Sequence, residues 1–428
     1  MNAREAALRA LVACRKNGAW SDAALKPLLH GFDRREAALA SHLCYGVLQN
    51  RMLLDFWISS FLRVVGKKLH PAIADILRLA VYQMQFMDKI PPSAAVNEAV
   101  NQTKKVVNPQ AARLVNGVLR SILRAQTLPQ PQDLATLYSH PQELVDLLLA
   151  QYGMEKTEAI LRNNNEAPET VLQINTLKTS AQALLQTLAE ARLHPWLPDC
   201  LTLKSAGGME ALPAFQEGLV YVQDAAAKLA VLAAGVKPDM HVLDCCAAPG
   251  GKSIAAAIAM QNRGTIHACD IHAHKLTLIE KSAQRLGIDC IRPQQQDAAQ
   301  EYAPWLDAMD VVLADVPCSG LGVIRKKPDI RYKDLAQAEK LPQLQLIILA
   351  QQAKYVRAGG VLLYSTCTIL RRENEAVVEE FLKNHPQFCA EVVDFPQESA
   401  IISGEMTTLL PCDHGTDGFF ICKLRRKL

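Results

Sequence analysis

The chain has 428 residues, of which half are hydrophobic and 21% are charged, with 21 glycines and 22 prolines. This composition is typical of a globular protein and excludes a disordered one, and the length predicts two or three domains. The sequence contains neither an apolar run of the roughly 18 residues that a transmembrane helix needs nor a secretory signal pattern. We therefore expect a cytoplasmic protein.

The net charge of +3 is unevenly distributed along the chain. Residues 1–126 hold 18 Lys+Arg against 8 Asp+Glu, whereas the remainder holds 28 against 35. A basic module joined to an acidic one favours a polyanion, above all nucleic acid, as the partner of the basic part. A helical domain with a basic, solvated face explains the charge equally well.

The twelve cysteines include no CxxC pair. They are too dilute for a disulfide scaffold and lack the spacing of a zinc site. We expect mostly reduced thiols and no bound metal. The histidines at positions 267, 272 and 274 match no metal-binding motif, and a solvated loop explains them better.

The N-terminal part shows helical periodicity. Apolar residues recur every three or four positions from Ala3 to about Arg124, and prolines are sparse. This spacing predicts an all-α bundle over residues 1–130, whose charge makes it the candidate RNA-binding domain. The proline-containing stretch 127–132 predicts a linker at its end.

A small mixed domain is predicted next, over residues 131–217. Helical spacing continues at 134–165, an alternating strand follows from Val171 to Leu177, and a helix is predicted at 181–192. This pattern predicts an α+β connecting domain.

From Gly218 to the C-terminus, apolar strands alternate with helices, which is typical of an open parallel sheet covered on both faces. We predict a Rossmann-like α/β domain over residues 218–428. Its predicted strands are 219–222, 240–246, 264–270, 289–293, 309–315 and 361–366, with antiparallel additions near 390–394 and 417–424.

A glycine-containing turn links the predicted strand ending near Asp244 to a helix starting near Lys252, with the sequence DCCAAPGGKS. Glycines at such a turn let a ligand approach the backbone, and the helix N-terminus offers free amides. The turn is neither GxGxxG nor a Walker A loop, so it favours a nucleotide-like cofactor other than a dinucleotide or triphosphate.

Aspartates follow successive predicted strands. Asp270 comes 26 positions after Asp244, where its carboxylate can accept hydrogen bonds from ribose hydroxyls, and Asp297 follows the third strand, on the adenine side. One such aspartate alone is more often a helix cap. Three at successive strand ends predict a single cofactor crevice.

Two cysteines follow the next two predicted strands. Cys318 lies in DVPCSG, which also contains Asp315, and Cys367 lies in YSTC. Both thiols are expected at the mouth of the same crevice. Methylation of pyrimidine C5 needs such a thiolate, because addition to C6 makes C5 nucleophilic, and a second polar group must assist release. The alternative for a lone cysteine, an inert small apolar residue, fits Cys245, Cys269, Cys290, Cys389 and Cys422 better.

At these residues the sequence resembles the bacterial RNA (cytosine-5) methyltransferases of the Sun (Fmu) type. The shared pattern comprises CAAPGGK, Asp270, Asp297, DVPCSGLG, RKKPDIR at 325–331, YSTCT and DGFFICKL. The segments 33–55, 94–100 and 112–120 are similar to the helical RNA-binding domain of transcription antitermination factor B. The resemblance therefore covers nearly the whole chain. One departure is Gln173, where relatives often carry arginine.

The resemblance implies roles for individual residues. Cys367 is the nucleophile, Cys318 assists product release, and Asp315 contacts N3 of the cytosine. The implied cofactor is S-adenosylmethionine, with no metal, and its implied lining is Cys246, Ala247, Ala248, Pro249, Gly250, Gly251, Lys252, Asp270, Asp297 and Asp315.

The resemblance also implies a substrate, 16S ribosomal RNA methylated at cytosine 967. We expect a monomeric enzyme with no membrane partner. The target base must be unpaired or flipped to reach both the thiolate and the methyl donor. A transfer RNA methyltransferase and a noncatalytic ribosome-assembly factor are the alternatives. The intact cysteines and glycine turn argue against the second.

Candidate phosphate contacts follow Cys318 directly. Arg325, Lys326, Lys327 and Arg331 are expected to hold RNA phosphates that flank the target, and Tyr332 is a candidate for base stacking. An exposed basic loop without a specific role is the alternative.

Overall fold

The structure, a computed structural model, describes residues 1–62, 69–204 and 208–428. Arg63, Lys67 and Lys68, which contribute to the N-terminal charge excess, lie outside the described residues. The chain forms two compact units. The first comprises Met1–Asn165 and Lys327–Lys333, and the second comprises Glu166–Lys326 and Asp334–Leu428.

The first unit is helical, which confirms the predicted N-terminal bundle. Asn2 and Asp33 cap two of its helices by accepting hydrogen bonds from backbone amides, as polar residues before a helix often do. Its core contains fully buried leucines at positions 43, 54, 77 and 119. The helices are α1 (Ala3–Asn17), α2 (Ser21–Leu25), α3 (Arg34–Gln49), α4 (Arg51–Ser60), α5 (Pro71–Phe86), α6 (Pro92–Val106), α7 (Pro109–Arg124), α8 (Leu134–Leu137) and α9 (Gln142–Asn163).

Helices α8 and α9 belong to the first unit, although we expected residues 131–165 in the connecting domain. Two hydrogen bonds explain the difference. The Trp57 indole donates to the Pro129 carbonyl oxygen (3.0 Å), and the Met52 amide donates to Ser139 Oγ (2.8 Å). The proline-containing stretch therefore follows the end of α7 but does not mark a boundary between the compact units.

The second unit begins with a small antiparallel sheet in the strand order β2-β3-β1-β4. Its elements are β1 (Thr170–Ile174), α10 (Ala181–Thr187), β2 (Arg192–Leu193), β3 (Cys200–Leu203), α11 (Pro213–Gln216) and β4 (Val220–Val222). We expected β4 in the large sheet, but it pairs with β1, with Leu172 opposite Val222. Periodicity identifies a strand without identifying its partner. Gln173 is buried, donates to the Gln223 carbonyl oxygen and accepts from Cys200 Sγ.

The remainder of the second unit forms the large sheet, in the order β10-β12-β9-β8-β5-β6-β7, with β11 paired to β12. Strands β9, β8, β5, β6 and β7 are parallel, and β12 runs antiparallel to β9. The elements are α12 (Ala225–Ala234), β5 (His241–Asp244), α13 (Gly251–Ala259), β6 (Thr265–Asp270), α14 (Ala273–Leu286), β7 (Ile291–Gln295), β8 (Met309–Asp315), α15 (Leu335–Ala338), α16 (Leu341–Ala353), β9 (Val356–Thr366), α17 (Glu375–Asn384), β10 (Phe388–Glu391), β11 (Met406–Leu409), α18 (Pro411–His414) and β12 (Phe419–Arg426).

Both faces of this sheet are covered, as predicted for a Rossmann-like domain. Val311 and Leu313 pack in one core, whereas Val312 and Ala314 pack in another, because successive side chains of a strand point to opposite faces. Among the described residues, the helices lack the combination of length and apolar character that crossing a membrane requires.

Candidate active site

The candidate site lies at the carboxyl edge of the large sheet. From β5 the chain passes to β6 and β7 on one side, and then to β8 and β9 on the other. The crevice where the direction of strand order reverses is the usual ligand site of open parallel sheets. The glycine turn follows β5, and Cys318 and Cys367 follow β8 and β9, so the topology gathers these groups at one edge.

The glycine turn matches the requirements of a small polar ligand. Gly250 has φ 108°, and a Cβ there would also meet the Ile279 side chain at 3.3 Å, so glycine is required. Helix α13 starts at Gly251 without a side-chain cap. Its first amides are thus open to an anionic group, such as the carboxylate of an amino-acid-derived cofactor.

Asp244 is fully buried beneath this turn and accepts a hydrogen bond from Ser253 Oγ (2.7 Å). Burial raises the pKa of Asp244 to about 6. Asp244 thus acts as an internal support of the turn.

Asp270 and Asp297 lie at the ends of the neighbouring strands, as the sequence predicts. Asp270 ends β6, and its Oδ1 accepts from the His272 amide (2.9 Å) and lies 3.6 Å from Lys275 Nζ. Asp297 follows β7, and its Oδ1 accepts from the Ala299 amide (2.9 Å). These hydrogen bonds engage one oxygen of each carboxylate and hold the group in place. The carboxylates of Asp270 and Asp297 therefore fit the hydrogen-bond donors of a nucleoside ligand.

Lys252 and Asp315 form a partly buried ion pair, with Nζ 2.6 Å from Oδ2 and side-chain exposures of 11% and 27%. The other oxygen of Asp315 accepts from Ser365 Oγ (2.9 Å). Burial lowers the pKa of Lys252, but the charges of Asp315, Asp244 and Cys367 outweigh it and raise the pKa overall. Lys252 therefore stays charged at neutral pH.

The sequence predicted both Lys252 and Asp315 in the cofactor lining, but it did not predict this ion pair. The Lys252 ammonium is directed to Asp315. The sequence carries the lysine but no signal for its partner, which comes from another strand end 63 positions away.

The two strand-end thiols lie side by side, with Cys318 Sγ and Cys367 Sγ 3.2 Å apart and both residues partly exposed. The hydrogen bond with Cys367, together with burial, raises the pKa of the Cys318 thiol well above its ordinary value. Cys318 consequently keeps its proton at neutral pH. Either sulfur can donate to the other, so the arrangement allows proton transfer between the two thiols and places a partly exposed thiol at the crevice for attack.

The basic stretch after Cys318 is largely occupied by internal ion pairs. Lys326 Nζ lies 2.6 Å from Asp224 and 2.8 Å from Asp417, and Arg325 lies 3.6 Å from Asp417. Both cations thus balance buried carboxylates within the second unit. Lys327 is exposed, and it remains a candidate for contact with phosphate.

Arg331 does not meet the expectation of a phosphate contact. It is 1% exposed and belongs to the first unit. Its guanidinium donates to the carbonyl oxygens of Gln49 (2.7 Å), Ser139 (3.1 Å) and Asn164 (3.2 Å), and to Asn165 Oδ1 (2.9 Å).

These acceptors lie at or just after the C-terminal ends of α3, α8 and α9, where free carbonyls and the helix dipole favour a cation. Burial lowers the pKa of Arg331 to about 10, so it stays charged at neutral pH. Tyr332 is also engaged in this unit, because its hydroxyl donates to the Leu48 carbonyl oxygen and Arg51 lies over its ring.

We expect Arg331→Met to lower the free energy of unfolding of the first unit by roughly 3 kcal/mol, since several buried carbonyls lose their donor. Denaturant titration with amide hydrogen exchange at the ends of α3 and α9 measures this. Lys327→Met, which removes an exposed cation from the same segment, is the control. Equal stability of the two variants would contradict the structural role of Arg331.

In the part of the chain that the structure describes, no group of three or more His, Cys, Asp or Glu side chains is placed to hold a metal ion. His267 instead packs against Trp305, with ring centroids 4.9 Å apart.

Comparison with known families gives three matches along the chain. A model described as 16S rRNA methyltransferase RsmB/F matches residues 231–425, and a NusB family model matches residues 1–124. A ferredoxin-like domain of RsmF/B-like methyltransferases matches residues 140–210. The match at 1–124 lies within the first unit, and the match at 231–425 includes the cysteines and the glycine turn.

Curated relatives match over the full length. The chain is 37% identical to the probable ribosomal RNA small subunit methyltransferase B of Bacillus subtilis (strain 168), covering 99% of this chain and 98% of that protein. It is 35% identical to the corresponding probable enzyme of Synechocystis sp. (strain ATCC 27184 / PCC 6803 / Kazusa), covering 100% of both. The crystal structure of PH0851 superposes with a TM-score of 0.81 over 98% of each chain, at 26% identity.

Proposed function

The chain belongs to the RsmB/F family of 16S ribosomal RNA methyltransferases, and from this premise we propose that it methylates C5 of one cytosine, cytosine 967, in 16S ribosomal RNA. The methyl donor is S-adenosylmethionine, and the reaction proceeds through a covalent bond between Cys367 and C6 of the base. The observation that carries this proposal is the pair of thiols 3.2 Å apart at the sheet edge that also holds the glycine turn.

The donor supplies an electrophilic methyl group on a sulfonium when it is bound at the turn. Cys246 to Lys252, Asp270, Asp297 and Asp315 are the residues that we propose to line its site. The open amides at the start of α13 suit its carboxylate, and Asp270 suits its ribose.

Cys367 starts the reaction. Its thiolate forms a bond to C6 of the cytosine, and the electron pair of the C5–C6 bond becomes available at C5, which can then accept the methyl group. Water takes the proton from C5 while the Cys367–C6 bond breaks with its electron pair on sulfur, which restores the aromatic ring and the Cys367 thiolate. Cys318, which lies against Cys367, assists this elimination.

Asp315 and Lys252 stabilise the base during the addition. We propose that N3 takes up a proton from water as the thiolate adds and then donates a hydrogen bond to Asp315, whose negative charge the ammonium of Lys252 balances. Because both groups are held in a low-exposure pair before substrate arrives, little reorganisation is needed.

The substrate must present an unpaired or flipped cytosine to this crevice. The basic helical unit is the proposed RNA-binding module, and Lys327 is the remaining candidate of the basic stretch for contact with phosphate. We propose that the protein works as a monomer in the cytoplasm.

Transfer of labelled methyl from S-adenosylmethionine to protein-free 16S ribosomal RNA tests the proposal. We expect 5-methylcytosine at a single site, located by nuclease mapping and mass spectrometry. Labelling of transfer RNA instead would overturn the substrate, and labelling of neither RNA would favour a noncatalytic assembly factor.

A further inference from the structure

Two adjacent buried residues, Glu373 and Asn374, connect the two cysteine turns. Both are 0% exposed and lie between Cys367 and helix α17. Neither appears among the residues that the sequence marked for the reaction. Their side chains bond to the residues that flank the two thiols.

Glu373 holds the turn that carries Cys318. Its Oε2 accepts from the amide of Ser319 (2.9 Å), the residue directly after Cys318. The same oxygen accepts from Gln345 Nε2 (3.0 Å), which also donates to the carbonyl oxygen of Pro317 (3.0 Å), the residue directly before Cys318. The turn is therefore clamped on both sides of the thiol.

Asn374 holds the turn that carries Cys367 in a similar way. Its Oδ1 accepts from Thr366 Oγ1 (2.6 Å), directly before Cys367. Its Nδ2 donates to the Thr368 carbonyl oxygen (3.0 Å), directly after Cys367. Both threonines are fully buried.

Further hydrogen bonds hold Glu373 and the two cysteine turns in place. The Tyr364 hydroxyl donates to the Glu373 carbonyl oxygen (2.6 Å). The turns are also joined directly, since Ser319 Oγ and Thr368 Oγ1 are 2.8 Å apart. Of the two carboxylate oxygens of Glu373, Oε2 accepts both hydrogen bonds, whereas the buried Oε1 has no hydrogen-bond partner among the described residues. Because a buried carboxylate is costly, losing either bond to Oε2 would leave the group still less satisfied, which favours this arrangement of the turn.

We propose that Glu373 and Asn374 are positioning residues that set the distance between the two thiols, with Glu373 acting through Cys318 on release and Asn374 acting through Cys367 on attack. The division of roles rests on the proposed function of the two cysteines. The charge of Glu373 also contributes to the raised pKa of Cys318, which supports its role as the protonated partner.

The positioning of the two thiols by Glu373 and Asn374 is tested without RNA, in the full-length protein. Diamide oxidises two neighbouring thiols to a disulfide and takes up their two protons and two electrons. The rate of disulfide formation therefore reports how close Cys318 and Cys367 are held. We expect rapid cross-linking in the wild type, because the sulfurs need to approach by little more than 1 Å. In Glu373→Leu and Asn374→Leu we expect cross-linking at least about 10-fold slower, measured by mass spectrometry of unreduced peptides.

Gln351→Leu is the matched control, since Gln351 is a buried glutamine of α16 that bonds to Tyr355 and not to a cysteine turn. Glu373→Gln keeps the shape and an acceptor oxygen, and we expect it to restore cross-linking to within about 3-fold of wild type. Equal rates in Glu373→Leu, Asn374→Leu and Gln351→Leu would overturn the positioning role, whatever the protein's activity.

Kinetics with S-adenosylmethionine and 16S ribosomal RNA test the division of roles. We expect Glu373→Leu to slow release at least about 10-fold and to accumulate covalent RNA adduct, whereas Asn374→Leu slows adduct formation by a similar factor. In a Cys318→Ala background, Glu373→Leu should leave the adduct lifetime unchanged.

Equal slowing of both steps in both variants, or a further change in the Cys318→Ala background, would overturn the division of roles. Absence of methylation and of adduct in the wild type would instead count against the proposed function. The cross-linking result would still test whether Glu373 and Asn374 position the two thiols.

Discussion

Replacement of Cys367 by alanine is expected to lower methyl transfer at least about 10³-fold while RNA affinity stays unchanged, because the variant keeps its binding surface but cannot form the bond to C6. Single-turnover transfer of labelled methyl measures the first quantity, and filter binding of 16S ribosomal RNA measures the second.

Cys389→Ala is the control for this variant. Cys389 is exposed on β10, at the far end of the strand order from the glycine turn, and we expect its loss to leave methyl transfer unchanged. Normal turnover by Cys367→Ala would exclude the covalent mechanism. If the variant lost both RNA binding and turnover, the substitution would have disturbed the fold.

Replacement of Cys318 by alanine is expected to have a different effect, the accumulation of a covalent complex between the enzyme and methylated RNA. Attack by Cys367 and methyl transfer do not require the Cys318 thiol in the proposed mechanism, whereas release does. Cys318 lies 3.2 Å from Cys367 and retains its proton, which suits a group that assists breakage of the Cys367–C6 bond.

The complex should appear as a slowly migrating species on a denaturing gel, carrying label from both the RNA and the methyl group. We expect steady-state turnover to fall at least about 10²-fold, as is typical when a proton-transfer group is removed. The double variant Cys318→Ala/Cys367→Ala should form no complex. Absence of the complex in Cys318→Ala itself would remove the proposed role of Cys318 in release.

The sequence by itself predicted the architecture, because each element leaves a local signal. Apolar spacing indicated the helical bundle and the strands of the large sheet, although β4 and the helices α8 and α9 were grouped differently. The strand-end positions of Asp270, Cys318 and Cys367 followed from connectivity, since parallel strands share a carboxyl edge. The motifs around the cysteines indicated the family, which the full-length relatives confirm.

The partners of buried polar side chains were decided only by the tertiary structure. The sequence placed Arg331 in a basic surface loop. In the structure it lies at the ends of three helices that are each at least 167 residues away from it in the sequence. Lys252 faces Asp315, and Glu373 and Asn374 clamp the cysteine turns, without any periodic signal. Periodicity records which face of an element is apolar, whereas the acceptor that a buried donor finds depends on which segments the fold brings within about 3 Å.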